Sequence, residues 1–232
     1  METIIANALE YAKNYFLNDF SGHDYFHTER VYNLTKYIAD YETCNKKTAY
    51  LGSILHDVDD YKIVGFEVEP FHNAKTFLNS QNVSKEEIEQ ICHIISQVSF
   101  KGTDSVVPDT IEGKIVQDAD RLDAIGAIGI ARAFTYGGNH NMPIYLPDMA
   151  FKENMSAEEY YNNKGTTINH FYEKLLKLKD MMNTETAKKI AVHRHEYMLE
   201  FLKEFYDEWE SNIKLDESKM ISYNFGGKTW KK

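Results

Sequence analysis

Cysteine is scarce in this chain. Cys44 and Cys92 are the only two in 232 residues; they lie far apart, each within a helix-like pattern where a thiol behaves as a small buried hydrophobe. No disulfide is expected. Proline is scarce as well, with four residues against 43% hydrophobic ones, which excludes a disordered or loop-dominated chain. Long apolar runs are missing: the longest, around Ala124 to Ile130, is too short to span a bilayer, and Glu2 opens a start with no basic segment. A cytoplasmic location is expected. An excess of positive charge is missing too, since the formal net charge is -10. That argues against an electrostatic hold on long nucleic acids, which needs cations clustered along the phosphate track. A small anionic substrate is not excluded, because a metal ion and a few local cations act within the screening length.

What is present is helical periodicity. Ile88, Ile91, Ile95 and Val98 recur at three- and four-residue steps behind the capping-box pattern Ser84-Lys85-Glu86-Glu87, and Ser156-Ala157-Glu158-Glu159 opens a second run in the same way. Strand-like alternation is sustained nowhere, and no repeat or low-complexity segment occurs. The pattern predicts helices near 3–18, 24–42, 46–58, 70–80, 85–98, 112–135, 157–178 and 184–211, the seventh broken near Lys164-Gly165. The expected fold class is all-α, a single-domain helical bundle. Segments 99–111 and 136–155 carry Lys101-Gly102, Gly137-Gly138, Pro143 and Pro147 and read as loops, where substrate contacts concentrate on a rigid scaffold.

Three segments carry chemistry. His56-Asp57 closes the apolar run Tyr50-Leu51-Gly52-Ser53-Ile54-Leu55, and an imidazole beside a carboxylate at the buried end of a helix suits a divalent metal. The segments His23-Asp24-Tyr25-Phe26-His27-Thr28-Glu29-Arg30-Val31 and Asp118-Ala119-Asp120-Arg121-Leu122-Asp123 hold the residues to complete such a site. Mixed imidazole and carboxylate ligation suits manganese, iron, nickel or magnesium better than a structural zinc, so the site reads as catalytic. On a helix His56 and Asp57 lie about 100° apart and both turn toward one ion, while Asp60 lies one turn on from His56. Asp120 is followed by Ala124, Gly126, Ala127 and Gly129, small enough for another helix to approach closely. Asp123 has two readings, a hydrogen bond to a ligand histidine or a pair with Arg121. Arg194 is the one break in the stripe Ala187, Ala191, Met198, Phe201, Phe205. A guanidinium sent inward must meet an acidic partner or an anionic ligand.

The order His27, then His56-Asp57, then Asp120 resembles the HD-domain metal-dependent phosphohydrolases, whose four ligands come in the same His, His-Asp, Asp sequence. The resemblance extends to Gly22-His23-Asp24 with Arg30-Val31, to Asp60 and Lys62, to the run from Asp118 to Arg132, to Tyr136-Gly137-Gly138, to Lys174-Leu175-Leu176-Lys177-Leu178 and to Arg194. It runs from about Tyr11 to about Glu208, and the chain looks like the bacterial single-domain nucleotide (pyro)phosphohydrolases. One HD domain over 1–232 is implied, with its motif-bearing core at about 11–208 and a tail at about 212–232.

That resemblance implies a metal site inside the bundle, with one divalent ion on His27, His56, Asp57 and Asp120. Manganese is the first choice, and magnesium, nickel, cobalt or iron(II) are alternatives. It implies that Asp60 rather than Asp59 orients or deprotonates the attacking water, with Lys62 beside it. It implies substrate contacts at His23, Arg132, Tyr136, Lys174 and Arg194, although His23 also fits a supporting place behind the ligands. The implied activity is hydrolysis of a small phosphate ester or anhydride, first of all a nucleoside triphosphate. A phosphodiesterase, a nucleotidase or an alarmone hydrolase would use the same core, and a metal-bound signalling or interaction module is the non-enzymatic alternative. The expected partner is a small anionic substrate, with no long nucleic acid and no membrane, and assembly as a homodimer is left open. His72, His93, His140, His170, His193 and His195 fall in no ordered motif and read as structural or superficial, His170 being the least settled.

Overall fold

The computed structural model describes residues 1–17, 24–59 and 69–211. His23, Asp60, Lys62 and the tail at 212–232 lie outside the described residues. Within them the regular structure is helical throughout, with no strand. The α-helices are α1 (Glu2–Tyr15), α2 (Tyr25–Ala39), α3 (Lys46–Leu55), α4 (His72–Ser80), α5 (Lys85–Ser96), α6 (Ile111–Asp123), α7 (Gly126–Asn139), α8 (Ala157–Tyr161), α9 (Thr167–Glu173) and α10 (Glu185–Trp209). Two 3-10 segments, Gly102–Asp104 and Leu175–Met181, lie between them. Among the described residues no helix is long and apolar enough to cross a membrane.

The chain divides into two compact units, Met1–Met198 and Leu199–Lys232. In the first, α3 is the central element. Asn45 caps it by accepting from the Thr48 amide at 3.3 Å, and every residue from Thr48 to Leu55 is buried. A helix with no polar face needs neighbours on all sides; α1, α2, α5 and α6 supply them. Ile38, Leu51, Ile54, Leu55, Ile91, Ile94, Ile115 and Leu122 are fully buried, and each such side chain contributes roughly 1.5–3 kcal/mol relative to exposure. In the second unit the end of α10 carries a ring cluster in which Phe205 stacks on Trp209 at 5.7 Å.

Capping agrees with the sequence pattern. Ser84 accepts from the Glu87 amide at the start of α5, and Ser156 and Glu159 form a complete reciprocal box at α8. The break expected near Lys164-Gly165 separates α8 from α9. Three boundaries differ. The α-helix expected over 46–58 ends at Leu55, with His56 as its C-cap and a turn following. The stretch 112–135 is two helices, because Gly126 at φ +78 turns the chain between α6 and α7. That left-handed conformation is open to glycine and costly for other residues. Finally, α7 continues to Asn139, so Tyr136-Gly137-Gly138 forms its last turn rather than part of a loop.

The passage at 140–156 is pinned by its backbone. The carbonyls of Pro143 and Ile144 accept from the Thr167 and Ile168 amides, each at 3.0 Å. Thr166 accepts from the next two amides, through its hydroxyl for Asn169 at 3.0 Å and its carbonyl for His170 at 3.1 Å. The first three amides of α9, which a helix cannot satisfy internally, are thereby paired, and the fourth makes the first helical bond.

Candidate metal centre

Local structure fixes each member of the centre. Asp24 caps α2 by accepting from the His27 amide at 2.8 Å, which sets His27 in the first helical turn. His56 and Asp57 follow the buried end of α3, and the partial negative charge of a helix C-terminus favours a cation there. Asp120 projects from α6, which packs against both α2 and α3. Three groups cluster, and Asp120 approaches both imidazoles among them. His27 Nε2 lies 3.3 Å from His56 Nε2, 3.3 Å from Asp57 Oδ2 and 3.5 Å from Asp120 Oδ1. His56 Nε2 lies 3.3 Å from Asp57 Oδ1 and 3.8 Å from Asp120 Oδ1. His27, His56 and Asp57 are buried and together could hold a metal ion.

The tautomers follow from the other ring nitrogens. His56 Nδ1 lies 2.8 Å from the Ser53 carbonyl, an acceptor only, so Nδ1 carries the proton and Nε2 presents a lone pair. His27 Nδ1 lies 2.8 Å from Asp123 Oδ2 and donates to it, so its Nε2 is likewise a lone pair. Two lone pairs and two carboxylates facing one point repel each other unless a cation sits among them. The donor set therefore fits a divalent ion, with both imidazoles oriented from behind. Burial and the charge of Arg132 act to lower the His27 pKa, but Asp123 and Asp57 outweigh them and raise it. Positive charge is drawn to this position.

Behind His27 sits a second layer centred on Asp123. Arg30 reaches it through two bonds, Nε to Oδ1 at 2.7 Å and a terminal nitrogen to Oδ2 at 3.0 Å, and Arg132 donates to Oδ2 at 2.9 Å. Burial works to raise the Asp123 pKa, yet the bonds from His27 and Arg30 and the charge of Arg132 hold it well below the usual carboxylate range. Of the two sequence readings of Asp123, the hydrogen bond to the ligand histidine is the one found. Arg121 turns elsewhere and donates to the Met181 carbonyl.

The remaining expected residues are placed as follows. Arg132 is engaged with Asp123. Tyr136 stacks on His140 at 3.8 Å. Lys174 is half-buried, with its ammonium 5.2 Å from the Phe100 ring centre and 6.0 Å from that of Tyr160. Burial lowers the Lys174 pKa, and the charges that act on it next are Asp120, Arg132, Arg121 and Asp57. Arg194 lays its stem over Gly126 and donates to the Leu122 carbonyl, so a helix end meets the inward guanidinium, with the charge of Asp123 also acting on it. Asp59 is committed to structure: it accepts from the Asn73 and Ala74 amides at 2.8 and 2.9 Å, at the start of α4.

Sequence reasoning missed two residues. Arg30 was only part of a motif, although an arginine one turn beyond a ligand histidine is placed to reach that histidine's partner. Asp118 had no assigned role, and nothing local signals one. It is fully buried and accepts four bonds, from the backbone and side chain of both Asn183 and Thr184, at 2.7–2.8 Å. It ties the start of α10 to α6.

Known proteins resemble this chain in sequence and in fold. The HD-domain family matches residues 24–125, which include His27, Arg30, His56, Asp57, Asp120 and Asp123. YpgQ of Bacillus subtilis is 38% identical over 189 residues, 79% of this chain and 83% of its own. A crystal structure from Lactobacillus plantarum is 41% identical with a TM-score of 0.81, covering 91% of this chain and 98% of that one. An HD-superfamily hydrolase from Bacillus thuringiensis is 37% identical with a TM-score of 0.69, over 90% and 98% of the two chains. Bacillus subtilis YpgQ has also been solved in complex with ADP, at 33% identity and a TM-score of 0.70 over 88% of this chain and 97% of that one. With its ligand order, the geometry around it and relatives matched along most of their length, this chain belongs to the HD-domain superfamily of hydrolases.

Proposed function

We propose that this protein is a divalent-metal-dependent phosphohydrolase acting on a small phosphate ester or anhydride, with a nucleoside triphosphate as the leading substrate. The observation that carries the reading is the cluster of His27, His56 and Asp57, whose facing atoms lie 3.3 Å apart, with Asp120 Oδ1 3.5 and 3.8 Å from the two imidazoles. The ADP complex of Bacillus subtilis YpgQ supports a nucleotide as the substrate class. Manganese is the leading ion, because mixed nitrogen and oxygen ligation with no thiolate suits it. When bound, such an ion supplies a Lewis acid that lowers the pKa of water and polarises a phosphoryl oxygen.

The chain's own residues do the rest. Asp60 takes the proton of the attacking water. Lys62 and Lys174 place positive charge against the phosphoryl oxygens, the larger part of what a protein contributes to phosphoryl transfer. His23 and Tyr136 contact the substrate beside them. Arg132 and Arg194, whose guanidinium groups are engaged with Asp123 and the Leu122 carbonyl, add positive potential from behind. We place the protein in the cytoplasm. The test is a screen for phosphate and pyrophosphate release across nucleotides with manganese, magnesium, nickel, cobalt and iron(II). Manganese-stimulated release from a nucleoside triphosphate is expected. Protein that retains a metal yet releases neither product under any ion would sink the reading.

A further inference from the structure

Asp123 has more donors around it than one ligand histidine needs. Its Oδ2 accepts from His27 Nδ1 at 2.8 Å, from a terminal nitrogen of Arg132 at 2.9 Å and from a terminal nitrogen of Arg30 at 3.0 Å. Its Oδ1 accepts from Arg30 Nε at 2.7 Å. Among the described residues only Arg30 grips both oxygens. The difference is mechanical. Donors that meet a single oxygen leave the carboxylate able to swing about the bond that carries it, whereas a guanidinium fork across both oxygens fixes its plane.

That plane matters because Asp123 sits where its own helix guides it least. It is the last residue of α6, and the chain turns away at Gly126. Arg30 rises from the same helix as His27, three residues further on and so on the same face. Ligand, carboxylate and fork close a ring on α2, from His27 Nδ1 to Asp123 and back through Arg30. Arg132 stands on α7, so with it as the only clamp a slight shift of α6 against α2 would carry the carboxylate off the imidazole. With Arg30 in place the carboxylate follows α2. Core packing does not explain the arginine, whose side chain is 33% exposed against 2% for Asp123.

We propose that Arg30 is a positioning residue for the metal ligand His27, acting through Asp123: its fork locks the plane of that carboxylate and thereby the direction of the His27 Nε2 lone pair. The inference rests on the metal-dependent phosphohydrolase reading, and it adds the residue that keeps one ligand aimed. A ligand whose supporting group is loosened binds its ion less well, commonly by ten-fold or more. Charge alone does not supply this, since a lysine bonds at a point and cannot span two oxygens.

Metal binding tests the proposal apart from turnover. Full-length protein is titrated with manganese in competition with a fluorescent chelator, and the visible spectrum of cobalt(II)-loaded protein is recorded. Arg30→Met and Arg30→Lys should each weaken manganese binding roughly ten-fold and alter the cobalt bands. Metal-free Arg30→Met should still fold, because Arg132 continues to pair with Asp123. In an Asp123→Asn background, whose amide end cannot take the second tine of the fork, Arg30→Met should cost less than about two-fold. If Arg30→Met does not fold, Arg30→Lys carries the same cycle. Native affinity and cobalt bands in Arg30→Met, rescue by Arg30→Lys, or a full loss that persists beside Asp123→Asn would each overturn the role. Native protein that takes up the ion and releases no phosphate removes the phosphohydrolase reading alone, and native protein that takes up no ion removes both.

Discussion

Asp118 and Asp120 stand two residues apart on one helix and do opposite work. Asp118 is sealed in protein and surrounded by four donors, so its oxygens have no capacity to spare. Asp120 keeps a side chain 26% exposed, and its neighbours are the Nε2 lone pairs of His27 and His56. A carboxylate whose oxygens are satisfied by protein donors is a joint. One whose lone pairs face other lone pairs is half of a cation site, and the difference lies in what the surrounding elements offer.

The comparison can be broken from either side. The largest effect is expected from Asp120→Ala, which should abolish metal retention and turnover while leaving the melting temperature of metal-free protein close to its starting value; metal analysis and a thermal melt read both. Asp118→Ala should do the reverse. With four donors stranded in the interior it should cost about 3 kcal/mol or more, a fall of roughly 5–10 °C in melting temperature, with one metal per chain still bound below the transition. A stable Asp118→Ala protein that had lost its metal would collapse the distinction.

Asp123 sharpens the same contrast, since it serves a ligand without being one. Asp123→Asn should weaken metal affinity roughly 10- to 100-fold, read by competition with a chelator. The sign of its pH dependence is fixed by its depressed pKa. The stabilisation it gives is fully present above the unfolded-state value near 4 and is lost only as pH falls through the lower folded-state value. The stability gap between native and Asp123→Asn protein should therefore be widest near neutrality and close in strong acid. The smallest effect belongs to Asp59→Ala. It should lower stability by about 1 kcal/mol through the lost cap on α4 and leave the rate per metal unchanged, whereas Asp60→Asn should keep fold and metal and lose most of the rate. Normal turnover in Asp60→Asn would move the proton acceptor elsewhere.

The parts legible in the sequence were those written in local order. Periodicity at Ile88, Ile91 and Ile95 and the serine caps located helices, because a helix repeats within its own turns. The ligand order exposed His27, His56, Asp57 and Asp120, and the step from Asp120 to Asp123 suggested the support behind a histidine. What escaped depends on distant partners or on glycine. Asp118 finds its donors 65 residues away. Gly126 sits in an Ala, Gly and Ile run that reads as one continuous helix, since glycine is silent about the sign of φ. Arg194 was legible as an inward cation, but a carbonyl partner such as that of Leu122 leaves no mark on composition.

The passage at 140–156 has a consequence for anyone wishing to trim this protein. It has the look of an expendable excursion, with Ile144, Leu146, Met149 and Phe151 on the outside. Yet it lends two carbonyls to the opening amides of α9, and that helix ends one residue before Lys174. Excising it would strip a helix of its first partners and loosen the ground on which Lys174 stands. The excursion is a buttress, and shortening the chain there should be felt first at the opening turn of α9.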